Sequence, residues 1–324
     1  YTATPLSLVT QTVSSAARWT LEGGNANTKR ASQPRWRGRT MSQRGDLAWL
    51  SACAVGVLNL GLTFASAGAA ELPQPRRVEI AIAGGLELVS DYYPPLRGAA
   101  PGLLLLHGWD WPGRSPAAGL RDHAREFQGA GYAVLVPNMR GWPPTGGRDD
   151  CGGRQVEDSR MALQWLGARQ PVDENRLFIA GYSQGGQVAL LSAARGAPVR
   201  AVVAYAPVTD LQSWGEHTDT PGIRGYLHAE CGGPAGWSGR SAVAQETGQL
   251  PPLLLVHGDS DRRVPTSQSL SLYRRLRANR AGVDLHLIPG AGHAIDAVLL
   301  PRLAIAFFAT RDVSPGGGSA VAGR

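Results

Sequence analysis

Gly181-Tyr182-Ser183-Gln184-Gly185 places a serine between two glycines where one element ends and another begins. Arg176-Leu177-Phe178-Ile179-Ala180 ahead of it is a short apolar run of strand type, and Val188-Ala189-Leu190-Leu191-Ser192-Ala193-Ala194 behind it is an apolar helical run. A chain that turns sharply from strand to helix lifts the serine hydroxyl clear of the backbone, and only small neighbours fit around such a turn. Gly181 and Gly185 meet that need, and Gly186 lets helix and strand approach closely. The chemistry this arrangement suits is nucleophilic attack on an acyl carbonyl. A glycine-rich chain also produces Gly-x-Ser-x-Gly by chance, and then the serine is inert. The residues that follow decide between the two readings.

An alcohol does not ionise at neutral pH, so Ser183 needs a base, and the base needs a carboxylate to orient it. Leu253-Leu254-Leu255-Val256 reads as a buried strand, and the loop after it carries two carboxylates, Asp259 and Asp261. Asp284-Leu285-His286-Leu287-Ile288 alternates as a strand, and its loop, Pro289-Gly290-Ala291-Gly292-His293, ends on a histidine. His293 is therefore the expected base, in the chain order serine, acid, histidine. The other six histidines have plainer readings. His107 and His257 end apolar strands and pin loops, His286 lies within a strand, and His123 falls in a helix. His217 and His228 sit in an irregular insert.

The oxyanion that forms on attack needs two fixed N–H donors. The backbone of Gln184, first in the helix, is one. The other is expected from the loop after Leu103-Leu104-Leu105-Leu106, where Trp109 is the candidate. Trp109, Trp111, Trp142 and Trp214 are candidates to line the substrate pocket, each against the alternative of ordinary apolar packing.

Positioning these groups requires a sheet. A hairpin is expected from Val78 to Ile82 and Leu86 to Tyr92, around Gly84-Gly85. Strands are then predicted at 103–106, 132–136, 177–181, 200–205, 253–256 and 284–288. Helices are predicted near 117–129, 155–168, 185–195, 267–280 and 294–309, with an irregular insert at 209–249. Continuous apolar strands alternating with helices imply an α/β protein with a mostly parallel, doubly wound sheet covered on both faces. Ser183, Asp261 and His293 all fall just beyond strand C-terminal ends, where open α/β sheets place their sites.

The first seventy residues differ from the rest. Met41-Ser-Gln-Arg, an apolar stretch from Leu47 to Ala65 and Ser66-Ala67-Gly68-Ala69-Ala70 form the three parts of a signal peptide at 41–70, cleaved after Ala69 or Ala70. A membrane anchor is the alternative reading of the same run. Residues 1–40 precede that methionine without periodicity and read as a non-native or disordered extension. Residues 71–312 are the expected catalytic domain, and 313–324 a disordered tail rich in Pro, Gly and Ser.

The chain carries 32 basic and 25 acidic residues, a net charge of +7. Seven of the basic and two of the acidic residues lie within 1–70, so residues 71–324 hold 25 and 23. That balance leaves no basic stripe for nucleic acid, and Lys29 is the chain's one lysine. Of three cysteines, Cys151 and Cys231 remain after signal cleavage. In an exported protein they are expected to pair, tying a loop to the insert near the site. Their spacing fits no zinc motif, and neither a metal nor a cofactor is expected.

With these motifs placed, the chain resembles the α/β-hydrolases. Within them it is most similar to the catalytic domain of the prolyl oligopeptidase family and to dienelactone-hydrolase-like esterases. The matching segments are Val172-Asp173-Glu174-Asn175-Arg176-Leu177, Gly181-Tyr182-Ser183-Gln184-Gly185-Gly186, Ala206-Pro207-Val208-Thr209-Asp210-Leu211, His257-Gly258-Asp259-Ser260-Asp261-Arg262-Arg263-Val264-Pro265 and Pro289-Gly290-Ala291-Gly292-His293. The resemblance favours Asp261 over Asp259, because His-Gly-x-x-Asp-x-x-Val-Pro is a common form of this loop. Two departures stand out: no room for a β-propeller before residue 100, and serine in place of the cysteine of the dienelactone hydrolases proper. The expected activity is exported hydrolysis of carboxylic esters through an acyl-enzyme. Cleavage of short peptides and a non-catalytic binding role are the alternatives. The expected partner is a small ester or peptide, with no nucleic acid and no stable membrane insertion after signal cleavage.

Overall fold

A computed structural model describes residues 71–109, 115–169, 171–246, 250–279, 281–294 and 298–312. The expected extension 1–40, signal peptide 41–70, tail 313–324 and Trp111 lie outside the described residues.

Eight strands form one sheet in the order β1-β2-β4-β3-β5-β6-β7-β8. They are β1 (Arg76–Ile82), β2 (Leu86–Tyr93), β3 (Ala100–Leu106), β4 (Ala133–Pro137), β5 (Val172–Tyr182), β6 (Ala201–Tyr205), β7 (Leu253–Gly258) and β8 (Val283–Ile288). β2 pairs antiparallel with β1 and β4, and every other pairing is parallel. The helices are α1 (Arg121–Gly129), α2 (Arg154–Gly167), α3 (Gln184–Ala194), α4 (Leu211–His217), α5 (Ile223–Ala229), α6 (Gly233–Trp237), α7 (Ser267–Ala278) and α8 (Leu299–Ala309). This is the α/β-hydrolase architecture the sequence led us to expect.

The central strands are apolar throughout because both of their faces are covered. β4 and β6 are buried at every position, whereas edge strand β8 is buried only at Val283. Successive residues feed opposite cores. Leu104, Leu106 and Ile179 join Leu163 and Leu166 of α2, Leu191 of α3 and Leu276 of α7. Leu103, Leu105 and Phe178 join Phe127 of α1 and Phe308 of α8. Phe178 and Phe308 stack with ring centroids 4.6 Å apart. Across the first core's sheet edge, the Arg140 guanidinium holds both oxygens of buried Asp158 at 2.8 and 2.7 Å.

Three expectations need adjustment. β5 starts at Val172, five residues before the predicted strand, and β3 at Ala100, with a register shift at Pro101/Gly102. The polar run Asp173-Glu174-Asn175 hid this extension, since only Asp173 of the three pairs and Glu174 and Asn175 lie within the register shift. The predicted helix at 117–129 begins as a 3₁₀ turn, Pro116–Leu120, before α1. The insert is not irregular: it folds into α4, α5 and α6 and two 3₁₀ turns. Each of these helices has five to seven residues, too few to display a helical period.

The insert has its own core, in which Leu211, Trp214, Ile223 and Leu227 pack with Val208 and Val264 from the sheet side. The disulfide Cys151–Cys231 lies in that cluster and closes an 80-residue separation, as expected. Closing a loop of that length restricts the unfolded chain, so the double variant Cys151→Ser/Cys231→Ser should lose about 2–4 kcal/mol of stability. Guanidinium denaturation of both proteins measures the difference, and equal midpoints would contradict it.

Candidate active site

β5 delivers Ser183 and α3 starts at the next residue, so the serine occupies the turn itself, at φ 55° and ψ −114°. Positive φ is unfavourable for a residue with a β-carbon, and the surroundings must hold it there. They do so from both sides. The Ser183 N–H donates to the Tyr205 carbonyl of β6 at 2.8 Å, and its carbonyl accepts from the Gln187 N–H at 3.0 Å. A β-carbon at Gly185 would lie 2.4 Å from the carbonyl oxygens of both Leu106 and His107, and one at Gly181 would lie 2.2 Å from the Gly185 carbonyl. The elbow thus presses backbone against backbone on the end of β3, which only glycine permits.

The same approach brings the loop after β3 to the serine: a β-carbon at Gly108 would stand 3.1 Å from that of Ser183. His107 fixes this loop. Its Nε2 accepts from the Met139 N–H at 2.9 Å, so Nδ1 carries the proton and donates to the Gly108 carbonyl at 2.8 Å. Trp109 follows, half-buried, with its ring edge-on to Trp142 and to Tyr226 at 6.1 and 5.8 Å.

His293 stands opposite. Its Nε2 is 3.1 Å from the Ser183 hydroxyl, and its Nδ1 is 2.7 Å from Asp261 Oδ2. A carboxylate can only accept here, so Nδ1 is protonated and Nε2 is left to take the serine proton. The Asp261 Oδ1 accepts from the backbone N–H groups of Arg263 and Val264 at 2.9 and 3.0 Å. Burial works to raise the Asp261 pKa, but hydrogen bonds from His257, His293 and the Val264 N–H outweigh it and hold the carboxyl well below the usual range. His257 pins this loop as expected, through Val264 O at 2.9 Å and Ser269 Oγ at 2.7 Å. Asp259 is not on the histidine; it receives the Gly290 N–H at 2.7 Å and anchors the loop that carries His293. The Tyr182 hydroxyl donates to the His293 carbonyl, securing the loop's far end.

Two clefts lie at the site. The first, narrow, is lined by Ser183, Gln184, Trp109, Leu211, Trp214, Ile223, Tyr226, Arg263 and the disulfide. The other, wider, runs from Trp109 and Tyr182 past His107 toward Phe127 and Leu300. Trp109 therefore stands between them. Trp214 lines the first cleft, with its indole N–H on the Arg263 carbonyl at 2.8 Å. Trp142 lines neither: it is buried in the sheet core and packs edge-on behind Trp109 and His107. Its position after the Arg140-Gly141 turn carries it inward, so its expected place in the pocket is corrected to a supporting one.

Sequence reasoning missed Asp149 and Tyr226. Asp149 is buried beneath the first cleft and accepts from Gln184 Nε2, Tyr226 OH, Gln155 Nε2 and the Cys151 N–H. Burial raises its pKa, opposed by those four donors. Neither residue belongs to a motif, since they meet through the disulfide-linked insert.

Residues 120–304 match the prolyl oligopeptidase family. The chain is 31% identical over 181 residues to dipeptidyl-aminopeptidase B of Aspergillus niger, an alignment covering 51% of this chain and 19% of that protein. It is 30% identical over 189 residues to the human acylamino-acid-releasing enzyme, covering 52% and 25%. The chain thus matches about a fifth to a quarter of these relatives' length. Among solved structures, a puromycin-hydrolysing peptidase of Mycobacterium tuberculosis superposes with a TM-score of 0.65 at 23% identity, over 73% of this chain and 39% of that one. A thermophilic esterase of Thermogutta terrifontis gives 0.61 at 18%, over 76% and 96%. These two likenesses carry the fold.

Because Asp261 has a depressed pKa, its contribution to stability is complete above the unfolded value of about 4 and is lost as pH falls below it. The gap in urea midpoint between wild type and Asp261→Asn should therefore be widest near neutrality and narrow below about pH 4. A gap constant from pH 7 to pH 3 would rule out an ionised, stabilising Asp261.

Proposed function

The chain belongs to the prolyl oligopeptidase family and is a serine hydrolase, and on that basis we propose that it is an exported carboxylesterase acting through Ser183, His293 and Asp261. The observation that carries the reading is the chain of contacts from Asp261 Oδ2 to His293 at 2.7 Å and from His293 to Ser183 Oγ at 3.1 Å.

In this reading His293 Nε2 removes the Ser183 proton as Oγ bonds the acyl carbon. The carbonyl electrons move onto oxygen, where the N–H groups of Gln184 and Trp109 receive the charge. Gln184 is suited to this by its place at the start of α3, where the helix dipole is positive. Collapse returns the electrons, and the His293 proton leaves with the alcohol. Water, deprotonated by the same imidazole, then releases the acid and restores Ser183. Asp261 keeps the imidazole in the required tautomer throughout.

The first cleft, walled by Leu211, Trp214, Ile223 and the disulfide, suits a compact apolar acyl group. The larger cleft beyond Trp109 suits the other side of the scissile bond. Cleavage of short peptides is the second reading, favoured by the peptidases among the relatives. Export is supported by the 41–70 segment and by the Cys151–Cys231 disulfide, a bond that persists in oxidising compartments.

A fluorophosphonate probe should label Ser183 in the folded protein, and Ser183→Ala or His293→Ala should reduce turnover of p-nitrophenyl esters on the order of 10⁴-fold. Unchanged turnover in Ser183→Ala would end the proposal, and turnover of p-nitroanilides but not esters would move it to peptidase. N-terminal sequencing of the protein from its native host should begin at Ala70 or Glu71; a start before Met41 would refute the signal peptide.

A further inference from the structure

We propose that Asp149 is a positioning residue for the reaction: one buried carboxylate aligns both residues whose backbone N–H groups receive the oxyanion. The inference rests on the assignment of Ser183 as nucleophile and of Gln184 and Trp109 as oxyanion donors.

Asp149 reaches Gln184 directly. The Gln184 Nε2 lies 2.7 Å from Oδ1 and 2.9 Å from Oδ2, and it also donates to the Tyr226 hydroxyl at 3.2 Å. The opposite end of the same amide, Oε1, is buried with no hydrogen-bond partner among the described residues. A buried acceptor left unmet is unfavourable, so the amide would turn over if its surroundings allowed. Turning it would set Oε1 against the Asp149 carboxylate, two acceptors with no proton between them. The carboxylate therefore dictates the amide's orientation, and with it the rotation of the residue whose N–H follows Ser183.

Asp149 reaches Trp109 through Tyr226. The tyrosine hydroxyl donates to Oδ2 at 2.7 Å, and its ring meets the Trp109 indole edge-on at 5.8 Å. The carboxylate is itself fixed. The Cys151 N–H at 3.0 Å and Gln155 Nε2 at 2.9 Å hold Oδ1, and the disulfide ties Cys151 to the end of the α5 segment that bears Tyr226. Asp149 is not in the lining of either cleft, so its effect on the site passes through the groups that donate to it, Gln184, Tyr226 and the Cys151 N–H.

Asp149→Asn preserves shape while replacing one acceptor by a donor, and Gln184→Met removes the amide while preserving length. Losing one oxyanion donor outright costs about 10²–10³-fold in kcat, so a misaligned donor should cost about tenfold. With p-nitrophenyl butyrate, each variant should show kcat lower by about tenfold and KM within about twofold, as expected for a contact made only in the transition state. The double variant should lose no more than Asp149→Asn alone, because that change already removes the contact that Gln184→Met breaks. Mass mapping should find the disulfide intact, and fluorophosphonate should still label Ser183. Should Asp149→Asn fail to fold, Gln184→Met alone carries the same expectation. Unchanged kcat, a rise in KM alone, or losses that multiply in the double variant would each overturn the inference. A wild-type protein that neither labels at Ser183 nor turns over would instead overturn the assignment beneath it.

Discussion

The site depends on a close approach between two stretches of backbone: Gly185 at the start of α3 and the Leu106 and His107 carbonyls at the end of β3. β5 and β3 are parallel neighbours, so the helix that follows β5 must leave directly over the end of β3. With no side chain in the gap, the helix sits low and Ser183 is squeezed into a positive φ that an open turn would not impose. The contact therefore raises the Ser183 hydroxyl and brings the loop of Trp109 to its side in one step. The hydroxyl's partner, His293, arrives on the loop after β8, three strands along the sheet from β5.

The distances on that far side are set by loops pinned by their own histidine and aspartate. His257 and the Val264 and Arg263 N–H groups immobilise Asp261, while Asp259 and Tyr182 hold the two ends of the segment leading to His293. Asp261 can thus remain ionised despite its burial, because the groups that donate to it are oriented before any substrate arrives. An exposed carboxylate would need no such support, but it would hold the imidazole less firmly.

The insert completes the site in a different way. Its helices are too short to be stable alone, and their order derives from a small apolar core and from the disulfide that ties them to the loop of Asp149. The wall of the first cleft and the support of Gln184 are consequently one structure. A protein that builds a wall of its cleft from such material can change that wall by altering a few insert residues, leaving the sheet untouched.

The doubly wound sheet, the order of its elements and the group formed by Ser183, Asp261 and His293 were legible in the sequence. The central strands are apolar runs and edge strand β8 alternates, and Ser183, Asp261 and His293 each lie at or in the loop beyond a strand end, so local pattern and site placement have the same cause. The pairing of Cys151 with Cys231 was expected on the reading that the chain is exported and that Cys53 leaves with the signal peptide. The polar start of β5 and the helices of the insert were not, because neither has the length or period by which apolar patterning declares an element. Tertiary structure alone decided that Trp142 supports Trp109 from within the core, that Asp259 anchors a loop instead of orienting the base, and that Asp149 lies under Gln184. These are contacts between residues 31 to 35 positions apart, made where strand ends of the sheet converge, and no spacing along the sequence encodes which of two neighbouring side chains will face the other.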